Sequence, residues 1–287
     1  MSEITVATLI DQAARELRDA GVVKPRREAN RLWAWQQRRS PGEAWLGRER
    51  PAGAGPARAF AEAVERRVRG EPLAYVIGHC GFRRLEIRCD SRALIPRPET
   101  EGVVDLALSL APSPRTRCLD LGTGTGCLGL ALADEGGFAV TGVDLSPPAL
   151  ELAALNVQAT GLAMELVHSD LGSGLAGRCF DLIVSNPPYL TEAEYSNLDP
   201  SVRDWEPRAA LVSGADGMDL TRRILRESVP LLANGGWIVI EIDSARGARV
   251  AELARGAGWE AIRVVPDLFG RDRYLAARRG PDTGGGE

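Results

Sequence analysis

The sequence predicts an α/β protein, with a parallel, doubly wound sheet preceded by a small all-helical region. Three observations carry this. From about residue 101, short apolar segments alternate with helical ones, the pattern of successive β–α units. A glycine-rich stretch follows the first of those strands at once, where such sheets present their carboxyl ends. Before residue 76 no strand pattern occurs, and apolar residues recur at helical spacing instead.

The elements follow in order. Leu9, Ile10, Ala13, Leu17 and Ala20 share one helical face, and Gly21 is its stop. "RREANRLWAWQQR" and "ARAFAEAVERRVRG" repeat that style. Between them "RPAGAGPA", 50–57, reads as a loop from its proline and glycine content. Alternation in "GFRRLEIRCDSRALIP", 81–96, predicts a short hairpin or extended linker. The sheet strands are "RCLDL" 117–121, "FAVTGVD" 138–144, "MELVHS" 164–169, "FDLIVS" 180–185 and "WIVIEI" 237–242, with two more expected at "AIRVVPD" and "RYLAAR". The tail "GPDTGGGE", 280–287, has the composition of disordered chain. The expected division is a helical domain over 1–75, a hairpin linker over 76–100, an α/β domain over 101–279 and the tail.

Composition narrows the function classes. Of 287 residues, 44% are apolar and 26% charged, as in ordinary globular proteins. Apolar runs such as "WIVIEI" are too short to span a bilayer, and the N-terminus reads as an amphipathic helix, so the expected location is cytoplasmic. The net charge of −4 lacks the basic footprint of a nucleic-acid binder. Five cysteines without a CxxC pair support neither a disulfide framework nor a zinc site; Cys118 and Cys127 read as small buried hydrophobes. His79 and His168 have no second metal ligand near them in sequence, so no metal is expected.

"CLDLGTGTGCLGLALA" places glycines at 122, 124, 126 and 129. Such a loop lets a ligand approach backbone and permits positive φ, and the following helix presents its N-terminus. Two registers compete. Gly124, Gly126 and Gly129 match the dinucleotide fingerprint GxGxxG, with Asp144 twenty residues on. Asp120 followed by Gly122-Thr123-Gly124-Thr125-Gly126 instead resembles the first motif of S-adenosylmethionine-dependent methyltransferases, where a carboxylate near a sulfonium makes electrostatic sense. Asp144, ending "VTGVD", can accept both hydroxyls of a ribose in either case, with Ser146 free to cap the next helix. In "HSDL" Asp170 can accept from an adenine amino group and Leu171 can lie against the ring; a helix or turn cap explains Asp170 equally well.

"SNPPYL", 185–190, ends the fourth strand, where the crevice of a doubly wound sheet opens. Two prolines fix successive φ angles and so hold the Pro187 carbonyl with little freedom. That carbonyl and the Asn186 side-chain oxygen can accept the two N–H groups of a planar amide or aromatic amine. Tyr189 offers a flat face for stacking. The chemistry would be positioning of a weak nitrogen nucleophile, with no covalent enzyme intermediate.

The motif resembles the D/N-P-P-Y/F/W signature of amino-methyltransferases acting on adenine, cytosine or glutamine. With "EPLAYVIG" (71–78), "LIPRPETE" (94–101), "DLGTGTG" (120–126), "EPRAAL" (206–211), "GADGM" (214–218) and "DLFGRDRYL" (267–275), the chain resembles the HemK/PrmC family of protein-(glutamine-N5) methyltransferases over about 70–278. The resemblance implies a class I, Rossmann-like methyltransferase fold with a small helical substrate-docking domain. It implies S-adenosylmethionine as cofactor and peptide chain release factors as partners, methylated at the glutamine of a Gly-Gly-Gln loop. It assigns the cofactor to Gly122, Thr123, Gly124, Thr125, Gly126, Asp144, Asp170, Leu171 and Asn186. Substrate falls to Asn186, Pro187, Pro188 and Tyr189, with Asn186, Pro187 and Tyr189 catalytic. Arg97, Glu99 and Thr100 fall near the active site without a firm role. One departure stands out: where the family reads Glu-Ile-Gly and then a glutamine, this chain has "EIDSARG", with Asp243 and Arg246. Rival functions are a ribosomal-protein glutamine methyltransferase, a DNA or RNA adenine-N6 methyltransferase, a non-catalytic binder and a nicotinamide oxidoreductase. Membrane and direct nucleic-acid partners are not expected, and the chain is expected to be a monomer.

Overall fold

The computed structural model describes residues 4–111 and 113–281. The composition-based expectation for the tail lies largely outside them. The chain divides into two compact units: Met1–Gly78 with Asp199–Trp205, and His79–Leu198 with Glu206–Glu287.

The first unit holds α1 (Val6–Asp19), α2 (Pro25–Gln36), α3 (Pro41–Leu46), α4 (Ala54–Val68) and α5 (Leu73–Ile77). The Thr5 hydroxyl caps α1, and Ser40 forms a reciprocal capping box with Glu43 on α3. Leu17, Leu32, Trp33 and Phe60 are buried together, and the rings of Trp33 and Phe60 meet edge to face with centroids 5.4 Å apart. Each such side chain contributes roughly 1.5–3 kcal/mol by leaving water. The segment 50–57, expected as a loop, already enters α4 at Ala54. Gly53, at φ +71°, turns the chain, and Pro56 sits in the first turn, where a missing N–H costs no helical bond.

The second unit opens with an antiparallel hairpin, β1 (His79–Phe82) and β2 (Leu85–Arg88), turned at Arg83 with φ +54°. The hairpin lies earlier than the 81–96 expected, because the residues after Arg88 bond elsewhere; the Ile95 N–H, for example, donates to Glu206. Then come α6 (Glu101–Leu110), β3 (Arg117–Leu121), α7 (Cys127–Gly136), β4 (Ala139–Asp144), α8 (Pro147–Thr160), β5 (Met164–His168), β6 (Phe180–Ser185) and α9 (Glu192–Ser196). The short α10 (Pro200–Arg203) lies in the segment that clusters with the helical unit. The second unit closes with α11 (Asp219–Glu227), β7 (Leu232–Glu241), α12 (Gly247–Gly256), β8 (Trp259–Pro266) and β9 (Asp272–Arg279).

The seven-stranded sheet runs β5-β4-β3-β6-β7-β9-β8. β3 to β7 pair in parallel, as the doubly wound pattern predicts, while β9 is antiparallel to both β7 and β8, a direction that pattern does not specify. The link 267–271 between β8 and β9 is far shorter than the roughly dozen residues a parallel crossover takes. Leu119, Ile183, Ile238, Ile240 and Leu275 line the core under the sheet. Chain order reverses at β3, which has β4 on one side and β6 on the other. The carboxyl ends of these three strands therefore frame a crevice, and the glycine loop, Asp144 and Asn-Pro-Pro-Tyr all lie at those ends.

Candidate active site

The glycine loop hangs from β4: Gly122 and Thr123 both donate N–H to the Val143 carbonyl, at 2.9 Å each. Gly122, Gly124 and Gly126 have φ of +71°, +55° and +80°, so side chains there would be strained. A Cβ on Gly122 would meet nothing within 4 Å, so this turn presents bare backbone to open space. Asp120 is buried beneath the loop, where it accepts from the Thr123 hydroxyl at 2.6 Å and the Gly129 N–H at 3.2 Å. Burial pushes its carboxyl up to about 6. It braces the loop from within, a role that its place at a strand end does not by itself announce. Asn156 of α8, fully buried, donates to the Thr125 carbonyl at 2.9 Å and accepts from Arg88 N–H at 2.8 Å. Its only sequence signal is an amide within an apolar helix face.

Asp144 ends β4 beside this loop. Its carboxylate accepts from Gly124 N–H and Ser146 N–H, both at 2.9 Å, while the Ser146 hydroxyl caps α8. Each oxygen keeps a second acceptor position for a ligand hydroxyl. Leu145, next in chain, is 64% exposed and offers apolar surface that sequence reasoning passed over. Asp170 pairs with Arg223 at 3.0 Å, and its carbonyl accepts from Ser173 N–H. Leu171 is buried in the core at φ +49°, a left-handed conformation uncommon for leucine.

Asn-Pro-Pro-Tyr leaves β6 held at both ends. The Ser185 hydroxyl donates to the Leu121 carbonyl at 2.7 Å, and Leu190 exchanges backbone bonds with Leu211 and Ser213 at 2.9 and 2.8 Å. Between these anchors Pro187 is buried, and Asn186, Pro188 and Tyr189 are half-buried. Burial holds the Tyr189 phenol up at about 12, so its ring is neutral. The Asn186 side-chain NH₂ donates to the Thr100 hydroxyl oxygen at 2.9 Å, and that hydroxyl donates to Glu241 at 2.6 Å. The amide therefore turns its nitrogen inward. Among the described residues no hydrogen bond engages Asn186 Oδ1 or the Pro187 carbonyl.

Long-range partners fix the segment around Thr100. Glu206, buried, accepts from Ile95 N–H at 3.0 Å and from Arg97 at 2.6 Å. The Tyr274 hydroxyl donates to the Glu99 carbonyl at 2.6 Å. Arg97, Glu99 and Thr100 thus bind "EPRAAL", β9 and β7 to one turn. Arg97 and Glu99 serve it structurally, and Thr100 reaches Asn186. Chemically, the site offers two fixed neutral acceptors, a neutral aromatic face, and a backbone loop with a carboxylate beside it.

The PrmC N-terminal domain model matches residues 8–78, and the methyltransferase small domain model matches 103–198. A release factor glutamine methyltransferase of Rhodospirillum rubrum is 39% identical over 97% of this chain and 86% of its own length. One of Deinococcus radiodurans is 41% identical over 94% of this chain and 97% of its own. The chain belongs to the release factor glutamine methyltransferase family. A methyltransferase from Pyrococcus furiosus, 19% identical, aligns with a TM-score of 0.55 over 70% of this chain and 92% of that one, the shared class I methyltransferase fold.

In this member of the release factor glutamine methyltransferase family, the departure at the end of β7 is an organised cluster. Arg246 donates through Nη2 to both oxygens of Glu194, at 2.8 and 2.7 Å, and through Nε to the Asp216 carbonyl at 3.0 Å. Its Nη1 lies 2.9 Å from Asp243, whose Oδ1 also accepts from Ala245 N–H. Arg246 so ties α9, the helix just after Asn-Pro-Pro-Tyr, to the loop at Asp216.

Proposed function

We infer that this protein transfers a methyl group from S-adenosylmethionine to the side-chain nitrogen (N5) of the glutamine in the Gly-Gly-Gln loop of peptide chain release factors. One observation carries the reading: the Asn186 amide is turned so that its oxygen, together with the Pro187 carbonyl, remains free to accept beside the Tyr189 ring. An amide NH₂ needs two acceptors in its plane and a flat surface for stacking.

The residues fit the cofactor. Gly122 to Gly126 give close backbone approach, Asp144 has acceptor positions for ribose hydroxyls, and Leu145 gives a base apolar surface. When bound, S-adenosylmethionine supplies an electrophilic methyl group on a positively charged sulfur. Asn186 Oδ1 and Pro187 O hold the two N–H groups of the substrate amide, which fixes its nitrogen and draws its protons aside. Tyr189 and Pro188 hold the amide plane. As the N–CH₃ bond forms, the S–CH₃ bond would break to leave a neutral thioether, and the nitrogen would lose one of those protons to solvent water. Catalysis by positioning of this kind is worth several kcal/mol of barrier, about 7–11 at its upper end.

The helical unit, which the PrmC N-terminal model covers, is the substrate-docking domain in this reading. The enzyme is then a cytoplasmic monomer without direct nucleic-acid binding. Among the described residues no helix is long and apolar enough to cross a membrane, and a net charge of −4 disfavours a polyanion. The test is turnover on a release factor, scored at the glutamine and set against adenine-containing DNA.

A further inference from the structure

We propose that Glu241 is a positioning residue for this reaction: through Thr100 it dictates which end of the Asn186 amide faces the substrate. The proposal rests on the methyl-transfer reading of the Asn-Pro-Pro-Tyr site.

The geometry is a three-member chain with a direction. Ser185 pairs with Ile240 across β6 and β7, so Asn186 and Glu241 leave the sheet side by side. Thr100 lies just before α6, and both it and Glu241 are almost fully buried, at 2% and 1% exposure. A threonine hydroxyl has one proton to give. When Glu241 is ionised it can only accept, so the Thr100 proton points to it at 2.6 Å. The Thr100 oxygen is then left as an acceptor, and it takes the Asn186 NH₂ at 2.9 Å. Asn186 Oδ1 must consequently face the cleft. When Glu241 is protonated the direction can reverse. Its O–H donates to Thr100, the Thr100 proton goes to the Asn186 oxygen, and the Asn186 NH₂ swings toward the substrate. A donor would then confront the two N–H donors of the glutamine.

The charges around Glu241 set where this reversal falls. Arg273 and Arg97 favour the ionised form, whereas burial and Glu99 oppose it. Tyr189 and Tyr274 also face it and are themselves held neutral, both near 12. Glu241 is pushed up to about 7, mainly by burial. Because the working form is the deprotonated one, turnover should fall as pH drops below neutrality.

The test uses the full-length enzyme with S-adenosylmethionine and a release factor, both saturating. kcat is measured from acid to mildly alkaline pH for the wild type, Thr100→Val, Thr100→Ser and Glu241→Gln, with cofactor affinity measured separately. Wild type and Thr100→Ser should lose about tenfold in kcat per pH unit below the midpoint, as a single required carboxylate does. Thr100→Val should lower kcat roughly 10–100-fold, the cost of one positioning hydrogen bond, with cofactor affinity changed less than about threefold and the acid limb gone. Glu241→Gln cannot ionise and should also lack that limb. A Thr100→Val enzyme with wild-type kcat, or with its acid limb in place, overturns the proposal and leaves the methyl-transfer reading standing. A wild type that binds S-adenosylmethionine but methylates no release factor takes down that reading and the proposal with it.

Discussion

In the proposed reaction Asn186 joins the strand core to the chemistry, and its replacement should separate binding from turnover. Asn186→Ala removes one of two acceptors for the substrate amide. We expect kcat to fall by about 10²–10³, the usual cost of losing one preorganised hydrogen-bonding group, with S-adenosylmethionine affinity within a few-fold of wild type. Calorimetric titration and single-turnover rates check this, and full activity in the variant sinks the acceptor account. Glu241 belongs to the same scale and gives a stability prediction. Its carboxyl ionises near 7 in the fold against 4.5 ordinarily, so between those values the folded chain holds a proton that the unfolded chain has lost. Its contribution to stability therefore declines as pH rises through that window, reaching a cost of about 3 kcal/mol above it. Glu241→Gln should melt above the wild type at pH 8 and close to it at pH 5; an equal offset at both pH values contradicts the assignment. Asn186, Pro187 and Tyr189 were legible because each had a local reason to sit at a strand end. Their support was not. Thr100 and Glu241 meet across 141 residues of sequence, and nothing in either neighbourhood announces the pairing.

At the scale of elements, periodicity located every strand of the sheet, because strands buried on both faces read as short apolar runs. It missed direction at β9, which depends on the length of the 267–271 link rather than on the strand's own residues. It also missed the start of α4, where glycines and a proline that suggest a loop are tolerated in a first turn. The glycine loop was legible as a turn of bare backbone, with Gly122, Gly124 and Gly126 all at positive φ. The bracing role of Asp120 was not legible, because a carboxylate ending a strand reads the same whether it is open to a ligand or tucked under its own loop. The cluster at Arg246 gives an element-scale prediction. Arg246→Ala removes the link between Glu194 of α9 and the loop at Asp216. KM for the release factor should rise several-fold while cofactor affinity holds, as measured by initial rates against release-factor concentration. A loss confined to cofactor affinity would place α9 outside the substrate cleft.

For the molecule as a whole, the proposed function divides the labour: protein docking falls to the helical unit and group transfer to the α/β unit. Composition set the broad class, and the crossing of β3, β4 and β6 set the location of the site. The substrate came only from motifs acting together, since an exocyclic amine of adenine would suit Asn186, Pro187 and Tyr189 as well as a glutamine does. One measurement therefore decides the central claim. The full-length protein is incubated with isotope-labelled S-adenosylmethionine and a bacterial release factor, and separately with adenine-containing DNA, and the products are read by mass spectrometry. The account predicts a single methyl group on the glutamine of the Gly-Gly-Gln loop and none on the DNA. Label in DNA alone, or in neither substrate, would contradict it.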